Sequence, residues 1–176
     1  MEVTDSAFVL SLRLDPRLRR FINPTSARLS DQEAWYYDYL VRKDDYYFIV
    51  EDLRSGDPHG TIALYDVDLD RSQAEMGRWV LRPGSLAAAE SALLAYQIAF
   101  ATLGLARVYC RTIKNNEPVV SFHRSAGLKD VPTSLRATLA ETTYDVVEQE
   151  VTRQSWPDVS GILERQAANA ARLLGR

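Results

Sequence analysis

Apolar positions along this chain follow two rhythms. Compact β-rich runs at 8–12, 46–51, 61–67, 73–81 and 106–112 carry Val, Ile, Leu, Tyr and Phe between turn formers, and they read as strands. The loop Ser55-Gly56-Asp57-Pro58 and the turn around Asp66, Asp68, Asp70 and Arg71 separate the second, third and fourth runs, which predicts an antiparallel meander. Three- and four-residue spacing appears elsewhere. Asp15 with Pro16 opens a short helix through 22, and Ser30 with Glu33 has capping-box spacing for a helix to 41. Leu86, Ala89, Leu93, Tyr96, Phe100 and Leu103 mark a long helix over 86–103. Another helix follows Asn116, strands at 134–141 and 144–151 meet at Thr142-Thr143, and a final helix over 158–175 starts at Asp158. The order predicts an α/β (α+β) fold in a single domain, 1–176, with no internal repeat or linker.

The stretch 74–128 organises the rest. It reads as strand, turn, helix, strand, loop, helix. Parallel strands joined by a helix put the first turn at the carboxyl edge of the sheet, where a helix N-terminus can receive a phosphate.

Composition narrows the function classes. The 176 residues suffice for one full core; 46% are apolar and 26% charged, and the formal charge is −3. No basic surplus invites nucleic acid. The single cysteine, Cys110, excludes an internal disulfide, and the acidic start Met1-Glu2-Val3-Thr4-Asp5 lacks a signal pattern, so a cytoplasmic location is expected. The segment 86–106 holds one charge, Glu90, yet its polar interruptions fit a buried helix better than a membrane span. Two histidines and one cysteine at unrelated positions give no metal-site spacing. Cys110, mid-strand, reads as core, and His59, in a turn, as solvated. The aromatics Trp35, Tyr36, Tyr37, Tyr39, Tyr46 and Tyr47 either pack or line an acceptor pocket, and packing is the commoner role.

The order of elements resembles the GCN5-related N-acetyltransferase (GNAT) family, and local residues sharpen the resemblance. Asn116, His123 and Gly127-Leu128 match the spacing of the family's asparagine-to-glycine motif. The runs 47–51, 60–66 and 74–79 resemble a branch that acetylates ribosomal-protein N-termini or amino sugars on nucleotide carriers. The resemblance implies a mixed, mostly antiparallel sheet of six to seven strands flanked by helices. Its fourth and fifth strands, here 76–81 and 107–112, splay apart to admit the pantetheine arm of acetyl-CoA.

It further implies a cofactor-binding set of Trp79, Val80, Leu81, Ser85, Leu86, Ala87, Ala88, Ala89 and Asn116, with a backbone amide near Trp79 to Leu81 as oxyanion donor. The family's pyrophosphate loop, Gln/Arg-x-x-Gly-x-Gly/Ala, is replaced by Ser85-Leu86-Ala87-Ala88-Ala89-Glu90. Backbone amides of the first helical turn, with Gly84 and Arg82 nearby, remain as phosphate donors; loss of the site is the alternative. His123 stands where the family places a thiolate-protonating Tyr, and an ordinary imidazolium near pH 7 suits that task; a packing histidine is the alternative. Asn116 either binds pantetheine or caps the following helix. Glu75 is the general-base candidate, with Asp66 and Asp68 behind it; an ordinary turn or surface carboxylate is the commoner reading of all three. The expected acceptor is a small amine, with an amino sugar on a nucleotide carrier in the lead; Arg13, Arg17, Arg19, Arg20 and Arg28 could meet its phosphates, though solvated surface charge is the commoner reading. Alternatives are a protein N-terminal acetyltransferase and a non-catalytic CoA-binding module. The final helix packs on the domain or on a second subunit, which leaves a homodimer open.

Overall fold

A computed structural model describes residues 1–175. A seven-stranded sheet runs in the order β1-β2-β3-β4-β7-β5, with β6 on the other arm of β7. The strands are β1 (Tyr46–Glu51), β2 (Pro58–Asp68), β3 (Gln73–Leu81), β4 (Arg107–Ile113), β5 (Lys129–Val131), β6 (Arg136–Leu139) and β7 (Thr142–Thr152). Every pair is antiparallel except β3 with β4. Helices α1 (Ser6–Leu14), α2 (Leu29–Leu40), α3 (Ala88–Gln97), α4 (Glu117–Ser125) and α5 (Trp156–Leu173) flank it.

Alternation along β2 sorts the helices. Ile62 and Leu64 face a large core with α3 and α5, built on Tyr96, Phe100, Val108, Val159 and Leu163. Ala63 faces the opposite way, into a smaller core with Val9 of α1 and Tyr47, against which Trp35 and Tyr39 of α2 pack. Side chains of successive strand residues point to opposite faces, so one strand serves both layers. Trp156 stacks on Phe100 at 5.4 Å and anchors the start of α5. No helix among the described residues is long and apolar enough to cross a membrane.

Four expectations change. The run 8–12 is helical. Ser6, Val9 and Leu10 are buried at i, i+3 and i+4, a period that a five-residue apolar run does not reveal by itself. Among the described residues α1 is preceded by a 3₁₀ turn at Val3–Asp5, so the expected fourth and fifth strands are β3 and β4 here. Residues 15–22 form no α-helix: Asp15 accepts bonds from the Arg17 amide and guanidinium, and a short 3₁₀ turn follows at Arg19–Phe21. The Ser30–Glu33 capping box does not form, because α2 begins at Leu29 with Arg28 at the cap position. The seventh strand comes instead from β5, three residues too few to announce themselves.

Smaller shifts follow local chemistry. The helix over 86–103 starts at Ala88 and passes into a π-helical turn at Ile98–Thr102, ending before Gly104 at φ +70°. The hairpin between β6 and β7 turns at Ala140, φ +52°, and not at Thr142-Thr143. The last helix begins two residues before Asp158, with Ser155 at its cap position, and packs against α3 of the same chain.

Candidate active site

The site is a gap in the sheet. β3 and β4 pair only at Gln73↔Arg107, Ala74↔Val108 and Glu75↔Tyr109. β4 stays paired with β7 along its whole length, through Ile113. The strand that leaves is therefore β3. Its register with β2 jumps from Ala63↔Gly77 to Thr61↔Val80, so an extra residue bulges out beside Arg78, which sits at φ +46°. A bulge sharpens twist and turns a strand away from its neighbour. Thr61 Oγ1 donates to the Arg78 carbonyl at 2.8 Å and holds it in place. Trp79, just past it, donates through Nε1 to Ser91 of α3 at 3.1 Å and packs on Phe122 of α4 at 4.9 Å.

A cavity of about 1130 Å³ opens through this gap. Of the sequence-predicted site residues, Trp79, Val80, Leu81, Ala88, Asn116 and His123 lie on its wall, whereas Ser85, Leu86, Ala87 and Ala89 do not. The turn before α3 is tied up locally. Ser85 Oγ accepts the Ala87 amide at 3.2 Å and meets His59 Nδ1 at 3.0 Å, while Arg82 donates to His59 Nε2 at 2.7 Å. His59 is thus a brace for this turn, and not a solvated loop histidine. Ala88 opens α3, and its first-turn amides have no carbonyl within the helix to receive them. Glu90 is solvent-exposed.

His123 is 2% exposed, against Trp79 and Phe122, and its Nδ1 has no hydrogen-bond partner among the described residues. Burial disfavours the charged ring and pushes its pKa down to about 4. The resting imidazole is therefore neutral at pH 7, without the partial imidazolium population that an ordinary value near 6.5 would leave. Asn116 stands at the cap position of α4 without a side-chain cap bond and lines the cavity.

Glu75 is buried and lies off the cavity wall. Tyr65, its direct cross-strand partner, does line the wall and donates to Glu75 Oε1 at 2.7 Å. Gly77 makes room for that hydroxyl, since a Cβ there would lie 2.6 Å from Tyr65 Oη. Desolvation raises the Glu75 pKa, and the Tyr65 bond and the Arg111 charge at 3.3 Å only partly offset it. Asp66 and Asp68 lie elsewhere, in a shallow depression with Asp44 and Asp70. Of the aromatic group around α2, Tyr47 alone reaches the cavity; Trp35 and Tyr39 stack on each other at 5.6 Å and pack. Cys110 also touches the wall, but burial pushes its thiol up to about 12, so no thiolate nucleophile forms near neutral pH. No group of three or more metal-ligating side chains occurs among the described residues.

Tyr65 and Thr61 are the site residues that sequence reasoning overlooks. Their alternation on one face of β2, opposite Glu75, is the signal that would have found them.

A family model for the acetyltransferase (GNAT) domain matches residues 1–129. Among solved structures, apo FdhC, a nucleotide-linked sugar GNAT, superposes with a TM-score of 0.76 at 26% identity, covering 90% of this chain and 86% of that one. Spermidine N-acetyltransferase from Vibrio cholerae in complex with CoA and spermine superposes with a TM-score of 0.80 at 17% identity, over 89% of this chain and 95% of that one, a likeness of fold. No curated protein sequence matches. A bulged strand splayed from its parallel neighbour, with a cavity through the gap, thus belongs to a chain of the acetyltransferase (GNAT) domain family, an acyl-CoA-dependent N-acetyltransferase.

Proposed function

We propose that this chain moves an acetyl group from acetyl-CoA to the primary amine of a small molecule by direct attack in a ternary complex, with an amino sugar on a nucleotide carrier as the leading acceptor. The observation that carries the reading is the splay of β3 from β4 beyond Glu75, with His123 and Tyr65 both on the wall of the cavity it opens. Backbone groups of Trp79, Val80 and Leu81 are proposed to receive the pantetheine arm and the thioester oxygen, as strand edges receive extended ligands. The first-turn amides of α3, from Ala88 onward, would take the pyrophosphate.

The acceptor amine must lose a proton to attack. Glu75 is the proposed base, and it reaches the cavity through Tyr65: the phenol oxygen accepts the amine proton as its own proton passes to Glu75 Oε1. His123 is proposed to steady the leaving sulfur by N–H donation without carrying a standing positive charge. The acceptor lead is supported by the likeness to a nucleotide-linked sugar GNAT, the more similar in sequence of the two structures described.

Thiol release from acetyl-CoA across a panel of amines tests the reading. Turnover with aminosugar nucleotides is expected. Turnover with peptide N-termini alone would replace this acceptor class, and acetyl-CoA binding without turnover on any amine would make the chain a binding module.

A further inference from the structure

We propose that the α1 end of the cavity is an anion subsite that holds a phosphate or diphosphate on the acceptor, a refinement that rests on the acetyl-transfer reading above. The chain as a whole is acidic, with a formal charge of −3. Its cavity has the opposite sign: Arg13, Arg17, Arg20, Arg78 and Arg111 line it against one carboxylate, Glu117.

Three of these arginines are already committed. Arg17 pairs with Asp15 at 2.6 Å, Arg78 with Asp45 at 2.6 Å, and Arg111 with Glu148 at 3.0 Å and Glu75 at 3.3 Å. Arg13 and Arg20 form no ion pair among the described residues. Among the described residues Arg13 donates one bond, from Nη2 to the Asn23 carbonyl at 3.1 Å, and its buried Nε has no acceptor. The guanidinium thus keeps N–H capacity beyond its one bond, and an anion in the cavity can accept from its outer Nη groups. Arg20 lies over Phe21 at 4.9 Å, and Phe21 meets Tyr144 of β7 edge-on at 6.4 Å, which sets this basic turn against the β6–β7 hairpin. That hairpin also contributes Thr138 to the wall.

The arginines sit on the α1 side of the sheet, whereas α3, whose first turn suits the cofactor's pyrophosphate, packs on the other side. The free positive charge therefore faces the acceptor's half. Fork-shaped guanidinium groups match phosphate oxygens and repel ammonium groups. A polycationic amine is the wrong acceptor for such a wall.

The test compares kcat/KM for one amino sugar with and without its nucleoside diphosphate, and for spermidine. The diphosphate form is expected to lead by at least about 10-fold, with spermidine the poorest. Arg13→Ala and, separately, the exposed Arg20→Ala should each lower kcat/KM for the diphosphate form about 10-fold or more while sparing the free sugar. Inorganic pyrophosphate should compete with the acceptor at saturating acetyl-CoA. Equal rates for all three amines, or pyrophosphate competing with acetyl-CoA alone, would overturn the subsite while leaving acetyl transfer intact. Absence of transfer to every amine would instead overturn the reading beneath it.

Discussion

His123 shows how a single side chain changes meaning between sequence and structure. Its spacing from Asn116 marks it out, and it lies on the cavity wall. Its protonation state follows from burial, which no spacing reports. Between pH 6.5 and about 4 the unfolded chain binds a proton at this ring that the folded chain refuses, so stability falls as pH drops through that window. The full loss is about 3 kcal/mol, from roughly 1.4 kcal/mol per pKa unit. His123→Gln should flatten this slope in denaturant titrations run at pH 7 and pH 4.5. An unchanged difference between the two pH values would contradict the buried neutral ring.

At the scale of elements, the cross-strand pair of Tyr65 on β2 and Glu75 on β3 is the unit to test. Tyr65→Phe removes the hydroxyl and keeps the ring. We expect kcat to fall about 10- to 100-fold, within the usual range for proton-transfer groups. The same change removes a bond that lowers the Glu75 pKa, so the acidic limb of the kcat/KM profile should move to higher pH. An unchanged kcat and profile would make the pair a structural bond only. Elements of this kind were only partly legible in the sequence. The meander, α3, β4 and α4 were readable because each has eight or more residues of clear period or a closing turn former. The run 8–12 was misread because Phe8, Val9, Leu10 and Leu12 satisfy a strand's apolar count, and only the burial of Ser6 beneath them reveals the helical face. The bulge at Arg78 left no trace in the local pattern, because it is a disagreement in length between two strands.

For the whole molecule, the splay is a product of opposed commitments. β4 is bound to β7 along seven registered positions and through Arg107 and Arg111 to Glu148. β3 is bound to β2 and, through Trp79, to α3 and α4. The bulge at Arg78 turns β3 away from β4, and the Trp79 contacts with Ser91 and Phe122 hold it there, so the facing edges stay open inside a packed domain. These open edges are the proposed seat of acetyl-CoA. Amide hydrogen exchange with and without acetyl-CoA tests that claim most directly. Protection should rise at 76–81 of β3 and in the first turn of α3, with the β1–β2 hairpin unchanged. Acetyl-CoA binding that leaves 76–81 exchanging as fast as in its absence would contradict it.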